Sequence, residues 1–200
     1  MPEITAAAVR QLRERTGIGM MNCKKALEAT AGDMEKAVEY LRKQGMAAVE
    51  KRAGREAREG LVVSYIHPGS RLGVLLEVNC ETDFVARTEG FQQFARDVAM
   101  HVAAEQPVCV SREQLDQSVV ERERQIYLEQ AKNEGKPAHI AEKIVTGRLE
   151  KFYQEVCLLE QPFVKDPDQT IADLVTGITA KVGEKIGIAR FACFRLGETA

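Results

Sequence analysis

The sequence predicts an α+β protein: an N-terminal three-helix module, a helical linker, and then a small antiparallel sheet packed with helices. Three observations support this class. The first 45 residues contain short runs with helical spacing of apolar residues, each followed by glycine. A charged, alanine-rich segment comes next. Runs rich in strand formers appear only after it, and they alternate with amphipathic helical patterns.

Three short helices are predicted in the first 45 residues. Thr5 is placed to cap the first helix, and Gly17 ends it. The second stops before Gly32, and the third is capped by Asp33 and ends at Gly45. Because isolated helices of this length are marginal in water, they must pack on one another as a compact module.

The remaining chain divides into a linker and a core. Residues 46–60 lack a wide apolar face, so we expect a solvated helical linker. Residues 61–200 then form the α+β core, which we expect to carry both dimerisation and the activity. Strand formers predict strands at about 61–67, 72–79 and 186–196, the first two joined as a hairpin.

Helices fill the space between the second and third strands. The segment from Leu158 to Val164, around Pro162, is expected to be extended. The predicted helices are an amphipathic one carrying Phe91, Phe94 and Val98, a polar one from a capping box at Ser111 to about Asn133, one that begins after Pro137, and one from about Asp168 to Glu184.

Composition narrows the functional classes. The net charge of −2 excludes a polycation built for nucleic acid, and no direct nucleic-acid contact is predicted. No run approaches the roughly 20 apolar residues that span a bilayer. The N-terminus lacks the pattern of a secretory signal, so a cytoplasmic location is expected. Neither a Walker motif nor a dinucleotide fingerprint is present, since Gly17-Ile18-Gly19 lacks the third glycine.

The five cysteines are widely scattered, without the close spacing of a zinc or redox motif. We expect them to be reduced and packed as small apolar residues. No metal site and no cofactor are predicted. One enzymatic alternative stays open, a cysteine hydrolase that pairs Cys80 or Cys157 with a histidine.

Three features are candidates for contact with a partner, each with a structural alternative. Met20 and Met21 are adjacent at a helix start, so at least one is expected at the surface. Thr82-Asp83-Phe84-Val85 lies between the second strand and the helix that follows. Its phenylalanine either folds into the core or is presented beside a carboxylate as a knob for a partner. His101 is either packed or a possible partner contact.

The sequence resembles the elongation factor Ts family of bacterial type, over nearly its whole length. The stretches that carry the resemblance are Leu12-Arg13-Glu14-Arg15-Thr16-Gly17-Ile18-Gly19-Met20-Met21-Asn22-Cys23-Lys24-Lys25-Ala26-Leu27, Glu77-Val78-Asn79-Cys80-Glu81-Thr82-Asp83-Phe84-Val85 and Ala99-Met100-His101-Val102-Ala103-Ala104. Only about one half of the core of the longer members follows Gly60, which indicates the short form.

The resemblance implies a guanine-nucleotide exchange factor without covalent chemistry. Its module is of the ubiquitin-associated type and docks on the GTPase domain of elongation factor Tu through Arg13, Met20 and Met21. Residues Thr82–Val85 enter that partner and displace its Mg²⁺, so that GDP leaves and GTP rebinds. A non-catalytic adaptor, which binds a partner without changing it, is the main alternative.

A homodimer built through the core is also expected. Three strands leave a sheet with open edges and part of a face needing cover. The last strand carries apolar side chains on both faces, among them Phe191, Cys193 and Phe194. A second copy would supply the cover that longer members find in their second half, and two-fold pairing is the commonest arrangement. Cys193 could then lie near its mate.

Overall fold

The computed structural model describes residues 4–52 and 54–198, and the α+β class is confirmed. The helices are α1 (Ala6–Thr16), α2 (Met20–Ala29), α3 (Met34–Arg52), α4 (Asp83–Ala86), α5 (Glu89–Glu105), α6 (Gln117–Asn133), α7 (Ala138–Val156) and α8 (Ile171–Val182). The strands are β1 (Glu59–Ile66), β2 (Leu72–Cys80), β3 (Pro162–Phe163), β4 (Asp166–Thr170) and β5 (Gly187–Arg195). One sheet has the order β1-β2-β5, and β3 pairs antiparallel with β4.

By their internal contacts the residues fall into two compact units. The first holds the chain up to Leu61 together with Val78–Phe94 and Asp173–Gly187. The second holds Val62–Glu77, Ala95–Ala172 and the chain from Ile188 onwards. The predicted boundaries at residues 45 and 60 stay predictions. In the residues that the structure describes, no helix is both long and apolar enough to cross a membrane.

In the first unit, α1, α2 and α3 enclose a core of their own. The caps predicted for α1 are confirmed: the Thr5 hydroxyl accepts from the amide of Ala8 (3.2 Å), and Gly17 is left-handed with φ 67°. The three helices bury apolar side chains against one another, as expected for α1 and α2, which are too short to stand alone. The buried residues are Val9, Leu12, Ile18, Cys23, Ala26, Leu27, Ala37 and Leu41.

The prediction that the third helix ends at Gly45 is wrong, because α3 continues to Arg52. Gly45 is buried, and a Cβ built on it would lie 3.1 Å from Cγ2 of Thr176 in α8. The glycine therefore permits a close helix contact, which offsets its cost of about 1 kcal/mol within a helix. Arg52 then donates from Nε to the carbonyl of Gly183 (3.0 Å), just beyond α8.

Gly60 is the position where β1 needs glycine. Its φ is +147°, and a Cβ there would lie 2.1 Å from the carbonyl oxygen of Val78 in β2. No L-residue side chain fits at that distance, so the two backbones can approach only because Gly60 has none.

In the second unit, the start of the polar helix differs from the prediction. Arg112–Gln114 is a 3₁₀ turn, and α6 begins at Gln117 because Asp116 caps it, accepting from the Ser118 amide (2.8 Å). The predicted extended segment 158–164 is confirmed only around β3, because Leu158–Glu160 forms a 3₁₀ turn. The last helix starts at Ile171 rather than Asp168, because residues 166–170 pair with β3.

A charged cluster anchors α7 within the second unit. The Arg112 guanidinium binds the carboxylates of Glu150 and Glu160 and lies 4.1 Å from the ring centroid of Tyr153. These carboxylates raise the pKa of Arg112 through hydrogen bonds and charge. Because three partners converge on one planar cation, the end of α7 is fixed to the segment before α6.

Candidate partner-binding site

Residues Thr82–Arg87, which we call the Phe84 turn, follow β2 directly. The sequence left open whether this segment is a simple connection or a rigid loop that presents Phe84. In the structure, residues 83–86 form the short helix α4. In a helical turn, successive side chains point about 100° apart, so the turn can bury some residues and expose others. Val85 is buried, whereas Phe84 is 78% exposed. Of the two interpretations of this phenylalanine, the outward one matches its position.

Asp83 lies beside Phe84 and is also at the surface. Its carboxylate accepts from Nη2 of Arg87 at 2.6 Å, an i,i+4 pair. The Arg87 side chain is 76% exposed and that of Asp83 is 47% exposed. Because exposed ion pairs contribute only about 0–1 kcal/mol, a partner can separate this pair at little cost.

Thr82 is held by a residue far away in the sequence. The Glu184 carboxylate accepts from the Thr82 amide (3.0 Å) with one oxygen and from the Thr82 hydroxyl (2.7 Å) with the other. The neighbouring residues bond in the opposite sense: the carboxylate of Glu81, which precedes Thr82, accepts from the amide of Lys185, which follows Glu184, at 2.6 Å. We call these four residues, Glu81, Thr82, Glu184 and Lys185, the double clamp.

Arg55, in the segment after α3, adds a cation to the double clamp. Its Nη1 lies 3.2 and 3.3 Å from the two oxygens of Glu81, and Nζ of Lys185 donates to the Arg55 carbonyl (2.8 Å). The Lys185 amide, followed by Arg55, holds the pKa of Glu81 below its usual value. Glu81 is therefore ionised at neutral pH and satisfies donors from two separate segments.

The residues predicted on the helical module are all exposed. Arg13 lies on α1, and Met20 and Met21 open α2 with exposures of 45% and 69%. Lys181 of α8 lies close to both the helical module and the residues after the Phe84 turn. Its Nζ would be 3.8 Å from a Cβ built on Gly17 and 3.5 Å from a Cβ built on Gly90. Gly17 precedes α2, and Gly90 lies at the start of α5.

His101 is placed differently. It is fully buried on α5, where the Val164 amide donates to Nδ1 (3.2 Å). Nδ1 is then an acceptor, so Nε2 carries the proton and donates to Gln161 Oε1 (3.0 Å). Burial lowers the pKa of His101, which keeps the ring neutral. A buried ring with both nitrogens occupied has a structural role, and this arrangement gives no support to a direct partner contact.

The cysteines do not resemble an activated nucleophile. The buried Cys80 thiol donates to the carbonyl of Thr82 (3.1 Å), and its pKa is raised by burial and by the nearby charge of Glu184. Cys157 is buried with its sulfur 3.7 Å from that of Cys109, and burial with this contact raises its pKa to about 12. Since the thiolate is the nucleophile, both residues are poorly suited to hydrolysis.

Sequence reasoning missed Glu184, Arg55 and Lys181. Glu184 bonds to a residue 102 positions away, and no local pattern marks such a pair. Among residues 4–52 and 54–198, no group of three or more His, Cys, Asp or Glu side chains is arranged to hold a metal ion. What the arrangement offers is an exposed aromatic ring on a restrained turn and exposed methionines on a helical module. Such features are typical of proteins that act by binding another protein.

Comparison with known proteins assigns the family. The family model described as Elongation factor TS matches residues 19–198. The chain is 61% identical over 195 residues to elongation factor Ts of Carboxydothermus hydrogenoformans, covering 98% of this chain and 90% of that relative. It is 59% identical over 195 residues to the same factor of Moorella thermoacetica, covering 98% and 96%. The chain therefore belongs to the elongation factor Ts family and has a role in translation elongation.

Proposed function

We propose that this protein is the guanine-nucleotide exchange factor of elongation factor Tu, which binds the GDP complex and promotes release of GDP. The observation that carries the proposal is the Phe84 side chain, 78% exposed on a turn whose neighbours are buried or hydrogen-bonded. An apolar ring held in water gains stability when a partner covers it. Its partner, in this proposal, is the region of elongation factor Tu that holds Mg²⁺ and the phosphates.

The strength of nucleotide binding sets how much differential binding free energy the Phe84 contact must supply. A factor that binds the nucleotide-free state better weakens nucleotide binding, and nucleotide weakens the factor by the same ratio. A thousandfold change corresponds to roughly 4 kcal/mol. Burial of a phenylalanine contributes about 1.5–3 kcal/mol, nearly all of it still available because Phe84 is exposed. Asp83, once separated from Arg87, would bring a carboxylate to the same place, where it would compete with the partner's own ligands for Mg²⁺.

The helical module supplies affinity in this proposal. Met20 and Met21 are exposed, flexible and polarisable, which suits a surface that adapts to a partner, and Arg13 adds a cation on α1. These contacts anchor the complex on the GTPase domain. The Phe84 turn then acts on the nucleotide site.

The deciding experiment is release of fluorescent GDP from elongation factor Tu, with and without this protein. We expect faster release that saturates with protein concentration, because exchange proceeds through a complex. If the protein binds the GDP complex in a pull-down but leaves the release rate unchanged, the adaptor alternative replaces this proposal. A cytoplasmic location stays an expectation from the role in translation.

A homodimer is the second part of the proposal, and one face of the β1-β2-β5 sheet supports it. Glu77 of β2 pairs with Arg190 of β5 (2.8 Å), which places Leu75, Glu77, Arg190 and Phe194 on one face by alternation. Gly73 lies on the same face as Leu75 and Glu77, because these three residues are spaced two positions apart on β2. Ile66 of β1 shares that face, since its Cδ1 would lie 3.0 Å from a Cβ built on Gly73.

Large apolar side chains are exposed on this face. They are Val62, Ile66, Leu75 and Phe194. A second copy, related by a two-fold axis, would cover them with the same face. The exposed Cys193 lies on β5 as well.

Sedimentation equilibrium under reducing conditions tests the dimer. We expect a mass of two chains at micromolar concentration, and a mass of one chain for Leu75→Glu, because a carboxylate would be buried without a partner. Val108→Glu, at an exposed apolar position in the second unit outside this sheet face, is the matched control. A wild-type protein of one chain that retains full exchange activity would remove the dimer from the proposal.

A further inference from the structure

We propose that Glu184 is a positioning residue for nucleotide exchange: by holding Thr82 it fixes the direction in which Phe84 leaves the protein. The inference rests on the proposed function and adds a residue to it. Glu184 is outside the Thr82–Val85 motif and lies just after α8, 102 positions along the chain.

The geometry of the contact restrains the turn in more than one direction. Both donors belong to Thr82, one on the backbone and one on the side chain, and they reach the two different oxygens of one carboxylate. A pair of bonds to one planar group fixes orientation as well as distance. Phe84 is two residues further along, so a rotation of Thr82 about its backbone displaces the ring.

The hydroxyl of Thr82 is used in an unusual way. Thr82 occupies the N-cap position of α4, where a threonine oxygen ordinarily accepts from an amide of the first turn. No such side-chain cap bond is made here. The hydroxyl donates to Glu184 instead. Since α4 lacks the local cap, its orientation is therefore set by Glu184, the second residue after α8.

The other half of the double clamp makes the restraint reciprocal. The Glu81 carboxylate accepts from the amide of Lys185, and the Glu184 carboxylate accepts from the amide of Thr82. Each adjacent pair, residues 81–82 and residues 184–185, therefore gives one carboxylate and one amide to the other pair, more than one hundred positions away. Arg55 pairs with Glu81, whereas Glu184 binds Thr82. Loosening Glu184 should thus free the Phe84 turn while Glu81 still holds the strand end beneath it.

Exchange kinetics of three variants test the inference. For Glu184→Ala we expect the maximal rate of GDP release to fall by roughly tenfold, or about 1.4 kcal/mol, while the concentration for half-maximal rate changes less than twofold. Thr82→Val removes only the hydroxyl donor and should lower the maximal rate in the same direction. Thr82→Ser restores the donor and should return the rate close to wild type.

Glu56→Gln is the matched control. Glu56 is an exposed carboxylate paired with Arg58 (3.1 Å) in the same part of the first unit, outside the double clamp. Its loss should leave both kinetic parameters unchanged. Thermal unfolding of every variant separates positioning from stability, because a purely structural role would lower the melting temperature without a selective loss of maximal rate.

A second readout needs no partner. The chain has no tryptophan, so Phe84→Trp reports on this position alone. We expect lower fluorescence anisotropy of that tryptophan when Glu184→Ala is added, with the far-ultraviolet circular dichroism unchanged. If Glu184→Ala does not fold, Thr82→Val in the Phe84→Trp background decides instead.

The outcomes separate the two proposals. A wild-type protein without effect on GDP release refutes the exchange function, and unchanged anisotropy then refutes the positioning role as well. A wild-type protein that accelerates release, with Glu184→Ala and Thr82→Val folded and equally fast at saturation, refutes the positioning role alone.

Discussion

The Phe84 turn and the helix segment around His101 were both candidates for partner contact, and the structure treats them in opposite ways. Phe84 is apolar and lies in water, while His101 is polar and is fully buried. Each is the less common placement for its residue type. Each placement depends on neighbouring residues. Hydrogen bonds from Thr82 to Glu184 restrain the turn, and Gln161 and Val164 satisfy the two nitrogens of the imidazole.

The difference teaches that two kinds of constraint can produce equally distinctive local sequences. Around His101 the constraint is packing and hydrogen-bond satisfaction, so its loss should be felt as stability. Around Phe84 the exposed ring contributes little to the isolated fold, so its loss should be felt in binding. Substitutions can break this contrast or sharpen it.

Phe84→Ala should have the largest effect. We expect exchange efficiency to fall by about tenfold to a hundredfold, as expected from roughly 1.5–3 kcal/mol of lost burial. The melting temperature should change little, because the ring is exposed in the free protein. Fluorescent GDP release and thermal unfolding measure the two effects.

Val108→Ala is the control, since Val108 is an exposed apolar residue of the other unit. It should release GDP like wild type. A folded Phe84→Ala protein with the wild-type release rate would show that the exposed ring is not the active contact.

His101→Ala should give the opposite result. Losing the ring leaves the Val164 amide and the Gln161 carbonyl without partners, at a cost of about 2–5 kcal/mol in unfolding free energy. Exchange per folded molecule should stay within twofold of wild type. Urea unfolding and GDP release at a temperature where the variant is folded provide the measurements.

His101→Asn tests the same point more mildly, because its amide oxygen can accept from Val164 in place of Nδ1. A partial recovery of stability is expected. If His101→Asn is as stable as wild type but exchanges slowly, then the buried histidine acts on the partner and the contrast fails.

Met20→Ala with Met21→Ala should affect affinity alone. Removing two exposed side chains of the module should raise the protein concentration for half-maximal exchange by about tenfold, or roughly 1.4 kcal/mol. The maximal rate should be unchanged, since the Phe84 turn is intact. A lower maximal rate with unchanged half-saturation would mean that the module takes part in exchange itself.

The pH dependence of stability should show the smallest effect. His101 has its pKa lowered by burial, while in the unfolded chain it titrates near 6.5, so the unfolded state binds more protons as pH falls below that value. The contribution to unfolding free energy is fully present above about pH 6.5 and decreases on acidification, by at most about 1.4 kcal/mol per pH unit.

Urea unfolding between pH 8 and pH 5 compares wild type with His101→Asn. We expect a steeper loss of stability for wild type over that range. Parallel curves for the two proteins would mean that His101 is protonated alike in the folded and unfolded states.

Local sequence rules predicted much of the fold and less of the site. Strands β1, β2 and β5 fall within two residues of their predicted bounds, because runs of strand formers are a local signal. Gly45 misled the prediction, since a glycine that ends a helix and one that admits a neighbouring helix look alike in sequence. Only the packing of α3 against α8 shows which of these two roles Gly45 has, and local sequence rules miss it because the two helices are far apart in the chain.

The site shows the same limit. The motif marked Phe84, but whether the ring points inward or outward depends on which neighbours are buried, and that is a property of the folded turn. His101 carried no signal that separated a packed ring from a contact. Glu184 carried none at all, because its meaning depends on the distant Thr82.

The continuity of α3 through Gly45 has a consequence for how binding energy is transmitted. Its 19 residues form a rod of roughly 28 Å that begins in the helical module and ends at Arg52, whose guanidinium is fixed to Gly183. Arg55, just beyond, is fixed to Glu81. A flexible tether would hold two contacts at a millimolar effective concentration, with an entropic cost for joining them. A preorganised rod avoids that cost. If Met20 and Met21 dock on the partner as proposed, the rod would also direct Phe84 toward the same partner.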